Sequence, residues 1–169
     1  MDILEIKDLE TLAQKRVPKM FFDYVNSGSW TETTYNENIS DFQKIKLRQR
    51  VAIDMSNRTM ATKMVNQSVS MPVAIAPTGL TGMQRADGEI LAAQAAEEFG
   101  IPFTLSTMSV CSIEAVAEKT KNPFWFQLYV MKDKKFMARL IDRAKEAKCS
   151  ALVLTLDLQI LGQRHKDVR

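Results

Sequence analysis

The chain has 169 residues, of which 46% are hydrophobic and 25% charged, the composition of an ordinary soluble globular protein. Its formal net charge of +3 comes from basic and acidic residues interspersed along the chain, which excludes the concentrated basic surface of a nucleic-acid-binding protein. Two cysteines, Cys111 and Cys149, and one histidine do not supply a usual zinc ligand set, so we expect no metal and reduced thiols in a cytoplasmic protein. No apolar run approaches the roughly 18 residues of a membrane span, and the acidic N-terminus is unlike a signal peptide. Peripheral membrane attachment stays open.

Residues 1–71 are predicted to form a mostly helical segment that packs on the domain after it. Apolar residues from Leu4 to Ala13 indicate a first helix, and Pro18 suits the first turn of a second. Tyr24 lies on the apolar face of that second helix, which ends in a polar, glycine-containing run. A further helical turn or two is expected in residues 31–38, a small extended pair in residues 42–53, and a connector with one weak strand in residues 57–70.

Residues 72–169 alternate between short apolar runs and amphipathic helices. The strands are expected to begin near residues 72, 102, 124 and 151, with Asp87, Ser112 and Asp133 as helix caps. This spacing is about that of one unit of a (β/α)₈ barrel, although an open doubly wound sheet would also fit. Against the open sheet, the run from Thr78 to Gly82 lacks a dinucleotide fingerprint. The predicted fold class is therefore α/β: the first four strands and three helices, the N-terminal half, of a (β/α)₈ TIM barrel preceded by the helical segment.

Polar residues occur at the carboxyl end of every predicted strand, where α/β proteins bind ligands. Taken singly, each has an ordinary explanation: Tyr129 as a packed aromatic, Ser106 as a cap, Asp157 as a helix cap and Arg164 as a solvated charge. Together they predict a site at one end of the sheet. Its residues are Pro77, Thr78, Gly79, Ser106, Gln127, Tyr129, Thr155, Asp157 and Arg164.

Five stretches in this order resemble one family. They are Phe22 to Val25 with the following Ser27-Gly28, Ala74 to Gly79, Leu105 to Thr107, Phe126 to Tyr129, and Asp157 through Gly162 and Arg164 to Asp167. The set resembles the FMN-dependent α-hydroxy acid dehydrogenase and oxidase family, and most of all its branch of bacterial flavin-linked L-lactate dehydrogenases. The resemblance extends over the whole chain and implies FMN at the mouth of a (β/α)₈ barrel.

The resemblance also implies roles for individual residues. Pro77, Thr78 and Gly79 would line the flavin ring, and Ser106, Gln127 and Thr155 would hydrogen-bond it. Tyr24, Tyr129 and Arg164 would bind the substrate, with Arg164 on its carboxylate. Asp157 would orient a catalytic histidine, so Asp157 and Tyr129 are the catalytic residues expected in this chain. The reaction would convert an L-2-hydroxy acid, L-lactate first, to the 2-oxo acid, with electrons passed to a quinone or cytochrome.

The family's histidine base, a second arginine and the phosphate loops belong to the second half of its barrel. His165 is no substitute, because it lies beside Arg164 in the loop motif. Residues 1–169 alone are therefore expected to be inactive and to bind FMN weakly or not at all. The alternatives are a glycolate or mandelate oxidoreductase of the same family, or a non-catalytic half-barrel that acts as an interaction module. Family resemblance further implies a homo-oligomer at full length, and peripheral contact with the cytoplasmic face of the inner membrane through a segment not present here.

Overall fold

The structure, a computed structural model, describes residues 2–158 and 160–168. The chain divides into two compact units. The helical unit comprises Met1–Arg58 and Ile160–Arg169, and the sheet unit comprises Thr59–Gln159. The short hairpin belongs to the sheet unit, so the two compact units meet in the chain at residues 58 and 59.

The helical unit is built from short helices joined by tight turns. They are α1 (Ile6–Arg16), α2 (Lys19–Val25), α3 (Thr33–Ser40) and α8 (His165–Val168), with a 3₁₀ turn at Asp41–Lys44. Pro18 precedes α2, where its missing N–H costs no helical hydrogen bond. Phe22 is the buried apolar residue of α2. The extended pair expected in residues 42–53 is wrong: the described chain from residue 45 to 58 forms no strand, and Leu47 and Val51 are exposed.

The sheet unit begins with an antiparallel hairpin, followed by a parallel sheet with helical connections. The hairpin strands are β1 (Thr62–Met64) and β2 (Gln67–Val69), and the parallel strands are β3 (Thr104–Leu105), β4 (Trp125–Tyr129) and β5 (Ala151–Thr155). The helices are α4 (Thr81–Gln84), α5 (Gly88–Phe99), α6 (Ile113–Lys119) and α7 (Lys134–Glu146). The strands are in the order β3-β4-β5, as successive parallel units require.

The first predicted strand, from residue 72 to 77, is reduced to a single parallel bridge. Ile75 pairs with Phe103, and its backbone accepts from Thr104 N at 3.1 Å. Proline at positions 72 and 77 removes two of the N–H groups that would extend the ladder. The segment nevertheless occupies the strand position next to β3.

The core of the sheet unit lies between the sheet and helices α5 to α7. Every residue of β4 except Tyr129 is buried, as expected for a parallel strand covered on both faces. Leu105 of β3 and Val116 of α6 are fully buried, and Leu140 and Ala144 are the buried face of α7. Burying a valine or leucine side chain contributes about 1.5–3 kcal/mol. The carboxyl ends of β3, β4 and β5 therefore have fixed positions.

Candidate active site

Gln127 of β4 connects the ends of three adjacent strands. Its side chain is 1% exposed. Its Oε1 accepts from Thr107 N at 3.1 Å and from Ser106 Oγ at 3.3 Å, just after β3. Its Nε2 donates to Thr155 Oγ1 of β5 at 2.6 Å. The structure therefore brings together Ser106, Gln127 and Thr155, which the sequence placed at the same end of the sheet.

The hydrogen bonds within this cluster determine which of its donors stay available to a ligand. Because Thr155 Oγ1 accepts from Gln127, its own hydroxyl proton can be donated elsewhere, and Gln127 Nε2 carries a second N–H. Ser106 Oγ accepts from Met108 N at 3.0 Å, which holds the loop after β3 against it. An amide and two hydroxyls on rigid strands fit the donor and acceptor edge of a flavin ring.

The predicted loop residues Pro77, Thr78 and Gly79 follow the Ile75 bridge. Pro77 and Thr78 are exposed and Gly79 is half-buried. Leu80 N donates to Met108 O at 2.9 Å, so this loop is joined directly to the loop after β3. The three residues therefore lie on a loop that is bound to the one carrying Ser106.

Tyr129 and Asp157 mark the ends of β4 and β5. Tyr129 is the last residue of β4, is half-buried, and is paired in register with Thr155. Asp157 is exposed and lies two residues beyond β5. No helix begins in the described residues between Asp157 and His165, so the alternative in which Asp157 caps a following helix is not realised.

Tyr24 and Arg164, the other predicted substrate residues, are neighbours in the helical unit. The Arg164 guanidinium lies over the Tyr24 ring, 4.6 Å from its centroid. Its Nη2 donates to Tyr24 O and, at 2.9 Å, to Ser27 Oγ. Its Nε lies 3.0 Å from Asp167 Oδ2, an ion pair without hydrogen-bond alignment. These contacts hold the Arg164 guanidinium beside Tyr24, although more than a hundred residues of sequence separate the two.

The single histidine lies in the same helical unit as this pair. His165 begins α8, and its ring is edge-on to Trp30, with 6.3 Å between the centroids. His165 is exposed, and an edge-on contact with one aromatic ring is an ordinary structural role for a histidine.

Two residues of this region were not identified from sequence as functional. Thr107 donates to Gln127 from both its backbone N and its hydroxyl, and in the sequence it appears only as the last residue of the family-like stretch Leu105 to Thr107. Glu89, only 1% exposed, accepts from Gly82 N and Val110 N at 3.0 and 2.9 Å. A signal for Glu89 existed: it falls on the same helix face as Ala93 and Ala96, the buried face of α5.

Among the described residues, no group of three or more His, Cys, Asp or Glu side chains could hold a metal ion. None of the helices in residues 2–158 and 160–168 has the length and apolar character needed to cross a bilayer.

Comparison with known proteins gives a consistent result. The family model described as FMN-dependent dehydrogenase matches residues 13–169. An L-lactate dehydrogenase of Acinetobacter baumannii is 50% identical over 160 residues, covering 95% of this chain and 42% of that protein. That of Acinetobacter baylyi is 47% identical over 167 residues, covering 99% and 44%.

Among solved structures, a soluble mutant of the membrane-associated (S)-mandelate dehydrogenase from Pseudomonas putida superposes with a TM-score of 0.93 at 35% identity. The match covers 99% of this chain and 48% of that one. The predicted fold class, a partial (β/α)₈ barrel with a helical segment before it, is confirmed. The chain spans less than half the length of the relatives it matches.

Proposed function

The chain belongs to the family of FMN-dependent dehydrogenases, and from this we propose that its protein oxidises an L-2-hydroxy acid to the 2-oxo acid, with L-lactate as the substrate. The expectations of a flavin oxidoreductase and of FMN as the cofactor are confirmed by the family. The choice of lactate is supported by relatives named L-lactate dehydrogenase at about half identity.

The observation that supports a flavin role for this chain is the buried Gln127 network. A buried amide that links three strand ends would hold its partners in one arrangement, and such preorganisation favours a rigid planar ligand. In the proposal, Ser106, Gln127 and Thr155 hydrogen-bond the ring of FMN, while Pro77, Thr78 and Gly79 line it. The cofactor would supply the two-electron acceptor for the substrate.

The substrate side of the proposal uses Tyr24, Tyr129, Arg164 and Asp157. Arg164 would pair with the substrate carboxylate, and its contacts with Tyr24, Ser27 and Asp167 support this by holding the guanidinium in one place. Tyr129 would approach the substrate hydroxyl. Asp157 would orient a histidine base and stabilise it once protonated. His165 begins α8 beside Trp30 and does not end a strand of the sheet, which supports a base other than His165.

A second candidate substrate has its own support. The fold similarity to (S)-mandelate dehydrogenase favours a larger 2-hydroxy acid as the alternative. That relative is described as membrane-associated, which supports the further proposal of a peripheral enzyme that passes electrons to a quinone or cytochrome. The proposal also includes that the protein forms a homo-oligomer and lies at the cytoplasmic face of the inner membrane.

The decisive experiment mixes the full-length protein anaerobically with L-lactate, (S)-mandelate or glycolate and follows loss of the flavin absorption band. We expect L-lactate to reduce the flavin fastest. Arg164→Lys should raise the KM for L-lactate about tenfold or more, because an ammonium does not reproduce the planar set of guanidinium donors. Arg139→Lys, at an arginine whose guanidinium lies 5.6 Å from the Phe136 ring, is the matched control and should change KM little.

The outcomes separate the candidates. Faster reduction by (S)-mandelate would replace lactate with the second candidate. Failure of every 2-hydroxy acid to reduce a bound flavin would contradict the proposed activity. Equal effects of the two arginine variants would remove Arg164 from the substrate site.

A further inference from the structure

Glu89 is a buried carboxylate that the roles above do not use. It is the second residue of α5 and is 1% exposed. Its Oε1 accepts from Gly82 N and Val110 N. Its Oε2 is buried and finds no hydrogen-bond partner among the described residues. A buried carboxylate is costly unless something compensates it, so its position calls for an explanation.

The surroundings keep Glu89 ionised. Burial raises the pKa of this carboxyl, but the N–H groups of Val110 and Gly82 and the Cys111 thiol outweigh burial and hold the pKa below its ordinary value. The first turn of α5 adds the favourable end of the helix dipole. A charged acceptor makes stronger hydrogen bonds to the two backbone N–H groups than a neutral one.

The two donors come from two different segments, each adjoining or within one of the candidate flavin loops. Gly82 lies in α4, just after the loop of Pro77, Thr78 and Gly79. Val110 lies in the loop that follows β3 and carries Ser106. One oxygen atom of Glu89 therefore holds together the two loops that carry four of the proposed flavin contacts.

Other contacts show that these loops approach closely. A Cβ atom added at Gly82 would lie 2.6 Å from Val110 Cβ and 3.0 Å from Glu89 Oε2. Leu80, with φ of 57°, precedes α4 in the left-handed region, which a non-glycine residue keeps only when its surroundings hold it. A residue larger than glycine at position 82 would clash with Val110 and Glu89, so the two loops could not approach this closely.

We propose that Glu89 is a positioning residue for FMN, whose carboxylate fixes the loop of Pro77 to Gly79 against the loop of Ser106. This inference rests on the proposed function, since it assigns those loops to the flavin. Glu89 acts through the loops and does not touch the cofactor. Its removal should therefore loosen FMN binding by more than the loss of stability alone explains.

The chain contains a matched control on the same helix. Glu97, near the other end of α5, accepts from Lys121 N at 3.0 Å and Asn122 N at 2.8 Å through one carboxylate oxygen. It makes the same kind of link with a loop that carries none of the proposed flavin contacts. A purely structural role for Glu89 would make Glu89→Ala and Glu97→Ala behave alike.

The experiment uses the full-length protein with Glu89→Ala, Glu89→Asp, Glu89→Gln and Glu97→Ala. The dissociation constant of FMN is measured by flavin fluorescence quenching, the visible absorption band of bound flavin is recorded, and the melting temperature of the flavin-free protein is measured. We expect Glu89→Ala to weaken FMN binding about tenfold or more and to shift the flavin band. Glu97→Ala should lower the melting temperature with less than about a threefold change in FMN affinity.

The conservative variants keep the inference testable if Glu89→Ala does not fold. Glu89→Asp is one methylene too short to reach both N–H groups and should weaken FMN binding, while Glu89→Gln keeps an acceptor at Oε1 and should largely restore it. Equal FMN affinity in Glu89→Asp and wild type, or equal losses in Glu89→Ala and Glu97→Ala, would overturn the role of Glu89. A wild-type protein that binds no FMN would instead overturn the proposed function and this inference with it.

Discussion

At the scale of single residues, Gln127 has the largest expected effect on the candidate site. It satisfies hydrogen-bonding groups from both neighbouring strand ends while almost fully buried. A leucine of similar size would leave Thr107 N, Ser106 Oγ and Thr155 Oγ1 without this partner. Each buried group left unsatisfied costs about 1–3 kcal/mol.

We therefore expect Gln127→Leu to lower the free energy of unfolding by about 2 kcal/mol or more and to abolish flavin binding. Urea unfolding followed by circular dichroism measures the first effect, and flavin fluorescence measures the second. Gln94→Leu is the control, because Gln94 is exposed and makes one bond, to Lys119 O at 3.0 Å. The control should change stability by no more than about 0.5 kcal/mol. Equal stability of Gln127→Leu and wild type would show that the network is not important for folding.

At the scale of elements, α6 and α7 are joined by a bidentate ion pair. Arg143 Nε and Nη2 each lie 2.7 Å from a Glu114 carboxylate oxygen. The Arg143 hydrogen bond lowers the pKa of Glu114 to about 2 from its ordinary 4.5. Because both side chains are more than two-fifths exposed, solvent screens the pair, and we expect it to contribute no more than about 1 kcal/mol.

The pH dependence follows from the sign of this shift. A carboxyl whose pKa is lower in the folded state stabilises the fold above its unfolded pKa and loses that contribution as the pH falls to its folded pKa. Glu114→Gln should therefore lower the melting temperature slightly at about pH 7, and the difference from wild type should vanish between about pH 4.5 and 2. Asp142→Asn, which removes a 3.8 Å pair with Lys145 on the same helix, should have no measurable effect at either pH. A Glu114→Gln difference that grew on acidification would contradict the assignment.

Helices and strands are predictable from sequence where local chemistry fixes their ends. They are less predictable where their formation depends on tertiary partners. Asp133 caps α7 with two backbone donors and Ser112 caps α6 through Ala115 N, as their sequences indicate. The extended pair in residues 42–53 failed because alternation of apolar residues means little without a partner strand. Glu89 was missed because an acidic residue in a first helical turn is normally a surface residue that favours the helix dipole. Its place on the Ala93 and Ala96 face of α5 indicates burial, but its hydrogen bonds to Gly82 N and Val110 N depend on tertiary structure that no local pattern encodes.

At the scale of the whole molecule, β5 has an uncovered apolar face. Leu152 and Leu154 are 47% and 49% exposed, whereas the alternate residues Ala151, Val153 and Thr155 are half-buried. By contrast, β4 is buried on both faces. In the sheet unit, β5 is also the last strand, and no described strand pairs with its outer edge. An unpaired edge beside exposed leucines favours association with another chain.

Residues 1–169 expressed by themselves should therefore self-associate, bind an apolar dye, and show neither stoichiometric FMN nor L-lactate oxidation. Sedimentation velocity measures the association. Leu152→Thr with Leu154→Thr should reduce it, since these side chains supply the exposed apolar surface without contributing to the buried core. Leu128→Thr with Leu140→Thr is the contrasting pair, because both leucines are buried in the core cluster and their loss should unfold the sheet unit.

The same Leu152 and Leu154 changes in the full-length protein should instead destabilise it, because a longer chain that completes the barrel would cover that face. A monomeric 169-residue chain that holds flavin and oxidises L-lactate would contradict this prediction. The catalytic base would then have to be a side chain within residues 1–169.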